Sequence, residues 1–266
     1  MIIKFCKYQG AGNDFIMLDN RMNEYSYLTI SDISFLCNRH FGIGADGLIF
    51  LEHDQTTDFS MRYFNSDGNE STMCGNGGRC IVLFASELGL VKNSAIFNAI
   101  DGLHEATIID YQYVILNMQD CSLPDKLSET MFKIDTGSPH IVVFCDDINN
   151  IDLIFEGRKH RYNYQIFPNG ANVNFCQIKG NTILIRTYER GVENETLACG
   201  TGSIAAALSA DFAGKIKPSK EISLSAPGGN LWVQFSREKG YKNIKLKGEA
   251  KKVFEGTIEI NQNRFI

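Results

Sequence analysis

The sequence predicts an α+β fold of two pseudo-symmetric domains, each a β-barrel-like sheet wrapped around a central helix. Three observations favour this class: many short runs rich in Ile, Val, Phe and Tyr, two helical segments that are almost entirely apolar, and a segment that occurs twice, once in each half. A helix that is apolar on every side is typical of a helix buried on every side, here by the surrounding strands.

The repeated segment is the strongest sign of a duplication. Residues 63–79 read YFNSDGNESTMCGNGGR, and residues 188–204 read YERGVENETLACGTGSI. Aligned without gaps, Cys74 falls on Cys199, and each cysteine precedes a Gly-x-Gly that opens a small-residue helical run. Because the spacing is far longer than the period of a solenoid repeat, it indicates two similar domains.

Two further matches extend the repeat along the chain. At the same spacing GNDFIML lies over GSPHIVV, and after a shift of one residue the GADG around Asp46 lies over the GANV around Asn172. We therefore predict an N-terminal half at residues 1–118, which the C-terminal segment 252–266 completes, and a C-terminal half at residues 119–251.

Strand-like patterns account for most of the chain, and three segments read as helices. Residues 31–40 follow a Thr/Ser cap and place Ile33, Leu36, Cys37 and His40 at helical spacing. Residues 76–88 and 201–213 end at Gly89 and Gly214, both suited to a helix C-terminus. The predicted strands are 2–8, 14–19, 47–52, 58–64, 103–109, 112–117, 132–136, 140–145, 173–178, 182–188, 221–226, 230–236, 243–248 and 252–260.

Composition limits the classes of function. The chain has 266 residues, 44% of them hydrophobic, and a net charge of −5 without a long basic run, so nucleic acid is not an expected partner. No apolar run approaches the ~18 residues of a membrane span, and the N-terminus has no secretory pattern. Eight cysteines without a CxxC therefore indicate reduced thiols in a cytoplasmic protein. Five of them are predicted to be small core residues: Cys6, Cys37, Cys121, Cys145 and Cys176.

The paired cysteines suggest acid–base chemistry. A helix N-terminus stabilises an adjacent thiolate, and its first backbone N–H groups can hold an anion that glycine lets approach closely. Two such sites would grip one carboxylate between thiols on opposite faces of its α-carbon. One of the two, as thiolate, would remove a proton from one face, and the other, as thiol, would return one to the opposite face, so the carbon is inverted.

Other motifs give weaker signals. GIGADG at 42–47 matches a dinucleotide fingerprint, but it follows a helix and precedes a strand, which is the reverse of the required order. A zinc site using Cys74 and Cys80 is disfavoured, because the second copy has Ala205 in place of Cys80. We therefore expect no cofactor and no metal.

At these residues the chain resembles the diaminopimelate epimerases, enzymes of lysine biosynthesis that work without pyridoxal phosphate. The resemblance rests on GAGNDF, GIGADG, YFNSDGNESTMCGNGGRC, GSPH, FPNGANVNF and YERGVENETLACGTGS, which occur in family order from end to end. The chain departs from the family at two points. Some members carry Gln where Gly47 stands, and many carry Asn where Ser138 stands.

The resemblance implies a role for each matched residue. Cys74 and Cys199 are the two acid–base residues, and His140 and Glu189 match positions thought to assist the thiols. The residues implied to bind the substrate are Asn13, Asn65, Gly75, Asn76, Asn172, Glu189, Arg190, Gly200 and Thr201. Arg190 suits the distal carboxylate. The resemblance also implies a homodimer and a small-molecule substrate, diaminopimelate.

Three alternatives stay open at this stage. A proline racemase or hydroxyproline epimerase would share the fold and the cysteine pair but act on a substrate with one carboxylate. A phenazine-type isomerase would lack the cysteine pair. A thiol redox or metal-binding protein would use the same two cysteines in a disulfide or a metal site.

Overall fold

The structure, a computed structural model, describes residues 1–217 and 219–260. The chain forms two compact units. Unit 1 comprises Met1–Leu116 together with the described residues from Glu249 onward, and unit 2 comprises Asn117–Gly248. The predicted boundaries of the two halves stay a prediction, and residues 261–266 of the predicted C-terminal segment lie outside the described residues.

Unit 1 has eight strands from its N-terminal part, two helices and one strand from the end of the chain. In order these are β1 (Ile2–Gly10), β2 (Asn13–Asp19), α1 (Ile30–Cys37), β3 (Gly47–Glu52), β4 (Phe59–Asn65), β5 (Glu70–Ser71), α2 (Gly75–Glu87), β6 (Ser94–Ala99), β7 (Gly102–Ile108), β8 (Tyr113–Asn117) and β18 (Lys251–Glu259). β18 pairs with β1.

Unit 2 repeats this order. Its elements are β9 (Asp125–Lys126), β10 (Met131–Asp135), β11 (Pro139–Phe144), a 3₁₀ turn (Ile148–Asn150), α3 (Leu153–Arg161), β12 (Asn172–Lys179), β13 (Thr182–Glu189), β14 (Asn194–Thr196), α4 (Gly200–Phe212), β15 (Ile222–Ala226), β16 (Gly229–Arg237) and β17 (Tyr241–Glu249).

The strand pairings of the two units are the same. In unit 1, β1–β2, β3–β4, β4–β5, β6–β7 and β7–β8 are antiparallel, and β2–β3 and β4–β6 are parallel. In unit 2, β10–β11, β12–β13, β13–β14, β15–β16 and β16–β17 are antiparallel, and β11–β12 and β13–β15 are parallel. The duplication inferred from the cysteine loops therefore extends to the topology of each unit.

Register corrects one detail of the sequence alignment. Phe15 lies opposite Gly47 in unit 1, and His140 lies opposite Asn172 in unit 2. Both pairs therefore fit the spacing of the cysteines without a shift. The expected one-residue shift at Asp46 was wrong, and Gly47 is the counterpart of Asn172.

Each unit is built around one apolar helix. α2 packs against β1, β2, β3, β7 and β18, and α4 packs against β10, β11, β12, β13, β15 and β16. Every residue from Asn76 to Ala85 is buried in α2, and α4 is buried from Gly200 to Ala210 except at the half-buried Thr201. The predicted class, an α+β fold of two barrel-like domains around central helices, is confirmed.

Both central helices end in the same glycine motif. Gly89 has φ 74° and Gly214 has φ 64°, and each N–H donates to a carbonyl three residues back. The next residue, Leu90 or Lys215, donates to a carbonyl five residues back. This is the Schellman arrangement, and it confirms the predicted glycine caps.

Two helix predictions need correction. The first helix ends at Cys37, not at residue 40, because Asn38 is extended and its side chain accepts the N–H groups of His40 and Phe41. The helix α3 was not predicted. Its sequence LIFEGRKHR is mostly polar, and only Leu153 and Gly157 are buried, so no apolar stripe marked it.

Four short strands were also missed. β5, β9 and β14 have two or three residues each, too few to show an alternating pattern. The fourth missed strand, β6, is longer, and its alternating residues Ala95 and Phe97 are buried. Among the five cysteines predicted to be core residues, Cys37, Cys121 and Cys176 are buried, while Cys6 and Cys145 are half-buried.

The glycine caps make a prediction about stability. Gly89→Ala and Gly214→Ala should each lower the free energy of unfolding by about 1 kcal/mol, because an L-residue is strained at positive φ. An added Cβ meets no described atom within 4 Å at either site, so crowding does not contribute. Urea unfolding measures the change, with Ser86→Ala in the last turn of α2 as the control. Wild-type stability in both glycine variants would contradict this account.

Candidate active site

The two cysteines occupy the same structural position in their units. Cys74 is the N-cap of α2 and Cys199 is the N-cap of α4, both with extended backbone. The first helical hydrogen bonds run from Gly78 N–H to Cys74 O at 2.7 Å and from Ser203 N–H to Cys199 O at 2.9 Å. The N–H groups that precede them lie outside the helical ladder, where they can hold an anion.

The Cys199 loop is held by short-range contacts. Gly202 N–H donates to Cys199 Sγ at 3.4 Å, and Thr201 Oγ1 lies 3.6 Å from the same sulfur. Ser203 Oγ donates to Cys199 O at 2.9 Å, and Thr136 Oγ1 donates to Thr201 O at 3.0 Å. The sulfur is therefore oriented toward the first turn of α4, where helix N–H groups favour negative charge.

A buried polar cluster lies behind this loop. Asn174 Nδ2 donates to Ile141 O at 3.2 Å and lies 3.1 Å from His140 Nδ1, and Asn174 Oδ1 accepts from Thr187 Oγ1 at 3.0 Å. A Cβ on Gly202 would lie 2.3 Å from Asn174 Oδ1, so glycine is required where α4 meets β12. Neither Asn174 nor Thr187 was predicted to contribute to the site. The signal was present, because Asn174 is a polar residue within an apolar strand.

His140 is a neutral histidine. It is fully buried, and burial together with the charge of Arg190 lowers its pKa to about 3. Since Asn174 Nδ2 can only donate, His140 Nδ1 accepts and Nε2 carries the proton. Nε2 has no hydrogen-bond partner among the described residues. This nitrogen is a donor available to a group that enters the site.

The predicted substrate residues of unit 2 are joined at the ends of β12 and β13. Asn172 Oδ1 accepts from the backbone N–H of Arg190 at 2.8 Å, and Glu189 Oε2 accepts from Thr196 Oγ1 at 2.7 Å. Asn172 is buried, and Glu189 and Arg190 are half-buried. The structure brings these three residues together with one another.

The loop after Arg190 is braced by an ion pair. Arg161 donates to Glu193 Oε1 from Nε at 3.1 Å and from Nη2 at 2.9 Å. The same carboxylate accepts from Gly191 N–H at 3.0 Å and from Tyr162 Oη at 2.9 Å. Because this pair ties α3 to the loop, it fixes the backbone that carries Arg190.

In unit 1 the predicted residues Asn13 and Asn76 meet directly. Asn76 Nδ2 donates to Asn13 Oδ1, and Asn13 Nδ2 donates to Asp46 Oδ2 at 2.9 Å. Asp46 also accepts from Arg39 Nη2 at 2.8 Å. Asp46 belongs to the GIGADG loop and was not predicted to contribute to the site. Its place in a helix–loop–strand unit agrees with the rejection of a dinucleotide fingerprint.

A cluster of charged residues contacts the GIGADG loop. Asp14 pairs with Lys7 Nζ at 2.8 Å and with Arg39 Nη2 at 2.7 Å. Burial raises the pKa of Asp14, but the hydrogen bonds from Arg39 and Lys7 outweigh it and bring the pKa to about 2. Lys7 Nζ also donates to Gly44 O. Asp14 therefore stays ionised at neutral pH, and its pairs with Lys7 and Arg39 anchor the GIGADG loop to β1 and β2.

The remaining predicted residue of unit 1, Asn65, is exposed at the end of β4. It lies opposite Gly47 in the β3–β4 register. A Cβ on Gly47 would lie 2.5 Å from both Phe64 O and the Tyr63 ring, so this backbone leaves no room for the Gln of other family members. The contact that such a Gln could make is absent from this chain.

All eight cysteines are present as thiols. In the described part of the chain no group of three His, Cys, Asp or Glu side chains is arranged to hold a metal ion. No helix within residues 1–217 and 219–260 is both long enough and apolar enough to cross a membrane.

The buried neutral His140 predicts a pH dependence of stability. Unfolded histidine binds a proton near pH 6.5, whereas folded His140 does so only near pH 3. The unfolded state therefore binds more protons between these values, and the stability contributed above pH 6.5 is lost as pH falls. Between pH 7 and pH 5 the wild-type chain should lose about 2 kcal/mol more than His140→Gln.

Urea unfolding of both proteins across this range gives the comparison. Carboxylates and His160 are common to both chains, so their contributions cancel, and a constant cost of the substitution cancels as well. Parallel curves of stability against pH would show that His140 is protonated in the folded protein.

Comparison with known proteins gives a consistent result. The sequence model of the family described as diaminopimelate epimerase matches residues 5–123 and 132–253. A diaminopimelate epimerase of Flavobacterium psychrophilum is 50% identical over 258 residues, which cover 96% of this chain and 100% of that relative. One of Chlorobaculum tepidum is 42% identical over 94% of this chain and 99% of its own length.

Solved structures share the fold at low sequence identity. A Bacillus anthracis protein of the phenazine biosynthesis PhzF family matches with a TM-score of 0.73 and 16% identity over 98% of this chain and 100% of its own. A hydroxyproline epimerase of Agrobacterium vitis matches with a TM-score of 0.68 and 14% identity over 97% of this chain and 92% of its own. The fold is thus shared among several kinds of enzyme, whereas the sequence match is specific: the chain belongs to the diaminopimelate epimerase family.

Proposed function

We propose that the protein is an isomerase that interconverts LL- and meso-2,6-diaminopimelate by inverting one α-carbon, with Cys74 and Cys199 as the two acid–base residues. The observation that carries the proposal is the duplicated N-cap cysteine. Two units of the same topology each present a thiol at the start of a buried glycine-rich helix. The family membership of the chain supplies the substrate.

The reaction needs no exchange of electrons with another molecule. One cysteine, as thiolate, takes the α-proton, and the electron pair of the broken C–H bond passes into the substrate carboxylate. The other cysteine, as thiol, then gives its proton to the opposite face of the same carbon. The product has inverted configuration, and the two cysteines have exchanged protonation states.

Thiolates are weak bases for this task, so the site must stabilise the carbanion strongly. A thiol with a pKa of ~8.5 cannot by itself deprotonate an amino acid α-carbon. Backbone N–H donors at Gly75 and Asn76 and at Gly200 and Thr201 would hold the carboxylate as it takes up negative charge. Preorganised donors of this kind contribute about 3–4 kcal/mol each when water is excluded.

Polar residues that differ between the two copies would recognise the second amino acid centre of the substrate. Arg190 has the planar fork that pairs with a carboxylate, and its backbone is fixed by Asn172 and by the Arg161–Glu193 pair. With Glu189 it would bind the distal end, while Asn13, Asn65, Asn76 and Asn172 would orient the chain between the two centres.

His140 and Glu189 are proposed to assist the thiols. A neutral His140 can donate from Nε2 without placing a second positive charge near the reacting carbon. Glu189, which is held by Thr196, can act as a proton acceptor or orient a thiol. Both residues lie on strands whose registers are set by long ladders, so their positions do not depend on flexible loops.

The runner-up is a proline racemase or hydroxyproline epimerase. The fold is compatible with it, since a hydroxyproline epimerase superposes with a TM-score of 0.68. The sequence favours diaminopimelate, because the identity is 14% to that enzyme and 50% to a diaminopimelate epimerase. The presence of Arg190 fits a second carboxylate, which proline lacks. The cysteine pair also distinguishes the chain from the phenazine-type isomerases.

Several broader expectations belong to the same proposal. The enzyme would act in lysine biosynthesis in the cytoplasm, as a homodimer, without a cofactor or a metal. A thiol redox or metal-binding protein is the alternative from another class, and it predicts activity that depends on oxidation or on a bound metal. Activity that persists with a chelator and is greatest under reductant would favour the epimerase.

The primary test is α-proton exchange. LL-Diaminopimelate incubated with the protein in D2O should gain α-deuterium and convert to the meso isomer, as measured by NMR and chiral chromatography. L-Proline and hydroxyproline, run in parallel, should gain none. If wild-type protein exchanges no α-proton of any diaminopimelate isomer, the proposed function is wrong. Exchange into proline would instead favour the runner-up.

The cysteines should divide the two faces between them. Cys74→Ala and Cys199→Ala should each lower the rate of inversion by about 10²–10⁴-fold, the usual contribution of a general acid or base. Each variant keeps one thiol and can therefore act on one face of the α-carbon. Slow α-proton exchange should persist for an α-carbon of one configuration and not for the other. The two variants should show opposite preferences. Cys145→Ala, a half-buried thiol in unit 2, should keep wild-type rates. Inversion at a wild-type rate in either catalytic variant would exclude a two-base mechanism.

A further inference from the structure

Arg79 is a fully buried cation on the first turns of α2. Its side chain is 0% exposed. Nη1 donates to Gly75 O at 3.1 Å, Nη2 donates to Asn76 Oδ1 at 2.8 Å, and Nε donates to Glu249 O at 3.3 Å. The guanidinium therefore holds both residues that follow Cys74.

The charge of Arg79 has no carboxylate to balance it. All three acceptors are neutral, and Arg79 takes part in no salt bridge among the described residues. Burial lowers its pKa, and the neighbouring thiols of Cys80 and Cys74 act in the opposite direction. Burial also raises the pKa of Cys80, so that thiol stays neutral. An unbalanced buried ion is unfavourable, and an anion at the Cys74 loop would offset much of that penalty.

Arg79 also fixes the direction of a chain of hydrogen bonds. A guanidinium only donates, so Asn76 must turn Oδ1 toward it and Nδ2 toward Asn13. A carboxylate only accepts, so Asn13 must turn Nδ2 toward Asp46. With a donor at one end and an acceptor at the other, neither amide can flip without losing a hydrogen bond. The two amides are thereby presented in one orientation.

The second copy has no equivalent cation. The counterpart of Arg79 is Ile204, which is 1% exposed, and the counterpart of Asn76 is Thr201. In that copy Cys199 Sγ accepts from Gly202 N–H instead. The two thiol loops therefore share a backbone but differ in where the cation lies, since unit 2 carries Arg190 after β13, where its charge acts on His140.

Other charged groups near the first loop come from the turn between β6 and β7 and from the end of β17. Asp101 Oδ1 accepts from Met73 N–H at 3.3 Å and pairs with His104 Nε2 at 3.3 Å. Glu249 contributes only its carbonyl to Arg79. The negative charge of Asp101 would disfavour a thiolate at Cys74, and His104 pairs with that carboxylate. Arg79 is the cation that contacts the first turn of α2 itself.

We propose that Arg79 is a positioning residue that makes Cys74 the thiolate of the resting enzyme and locks the Asn76 and Asn13 amides in the orientation that receives substrate. The proposal rests on the proposed function for its catalytic meaning. Because Arg79 is present in one copy and absent from the other, one of the two equivalent thiols ionises first.

Differential alkylation tests the charge without any substrate. Wild-type protein is treated with limiting iodoacetamide from pH 5.5 to 9.5, and labelling of each cysteine is followed by peptide mass spectrometry. The pH midpoint for Cys74 should lie below that for Cys199. Cys199 is buried and Cys74 is half-buried, and burial itself raises a thiol pKa, so the change in the Cys74 midpoint on removal of Arg79 assigns the difference to the charge. The buried Cys37 and Cys176 report whether the protein remains folded. Equal or reversed midpoints would overturn the proposal.

Variants separate charge from orientation. Arg79→Met should slow labelling of Cys74 relative to Cys199 by about tenfold or more at neutral pH. Arg79→Lys keeps the charge and should keep the labelling ratio within about threefold, yet it loses the fork that grips Gly75 and Asn76, so kcat should fall about tenfold with a smaller change in KM. Arg21→Gln, which removes an arginine paired with Asp19 at the surface of the same unit, should change neither quantity.

The outcomes distinguish the inference from the proposed function. An unchanged labelling ratio in folded Arg79→Met would refute the role of the charge, and wild-type kcat in Arg79→Lys would refute the role in orientation. If Arg79→Met does not fold, equal or reversed midpoints in the wild-type protein would still refute the role of the charge. Failure of α-proton exchange in the wild-type enzyme would refute the proposed function. The labelling result would still show whether Arg79 favours the Cys74 thiolate.

Discussion

The central constraint is a helix that begins inside a barrel. A helix start leaves N–H groups without helical partners, and in a buried position each of them needs an acceptor. In both units the N-cap is a cysteine and the first helical residue is a glycine, at Gly75 and Gly200. Cys199 and Gly200 are buried and Cys74 and Gly75 are half-buried, so a bound anion is a suitable acceptor for these groups. The same arrangement favours a thiolate, a carboxylate and a carbanion whose negative charge is delocalised into that carboxylate.

The surrounding structure supports the two helix starts in different ways. In unit 2 a neutral cluster of Asn174, His140 and Thr187 presses against Gly202 and leaves no room for a side chain there. In unit 1 the buried Arg79 and the pair of Asp46 with Arg39 lie at opposite ends of a pair of amides. A symmetric backbone therefore carries an asymmetric distribution of charge. Inversion of a carbon requires the symmetry, and recognition of an unsymmetric substrate requires the departures from it.

Much of the fold could be predicted because its signals are local. Thirteen-residue helices with largely apolar sequences, glycines at their ends and strands rich in β-branched residues are each visible in a short window. The elements that were missed lack such signals. α3 buries only Leu153 and Gly157, and it packs on β13 so closely that a Cβ on Gly157 would lie 2.6 Å from the Tyr188 side chain, a contact between distant parts of the chain. The shift expected at Asp46 failed for a related reason: strand register, not local identity, determines which residues are equivalent.

The sequence by itself determined the duplication, the paired thiols, the glycines that open and close the central helices and the family of the chain. These features depend on residue type and spacing along one segment. Only the tertiary structure decided which residues support the thiols. Asn13 meets Asn76 across 63 residues, and Asn13 meets Asp46 across 33. Arg79 looked like one charge on an apolar helix, and its importance appears only when its neighbours are known. Burial and hydrogen-bond direction are properties of contacts between strands and helices that are far apart in sequence, and no local pattern encodes them.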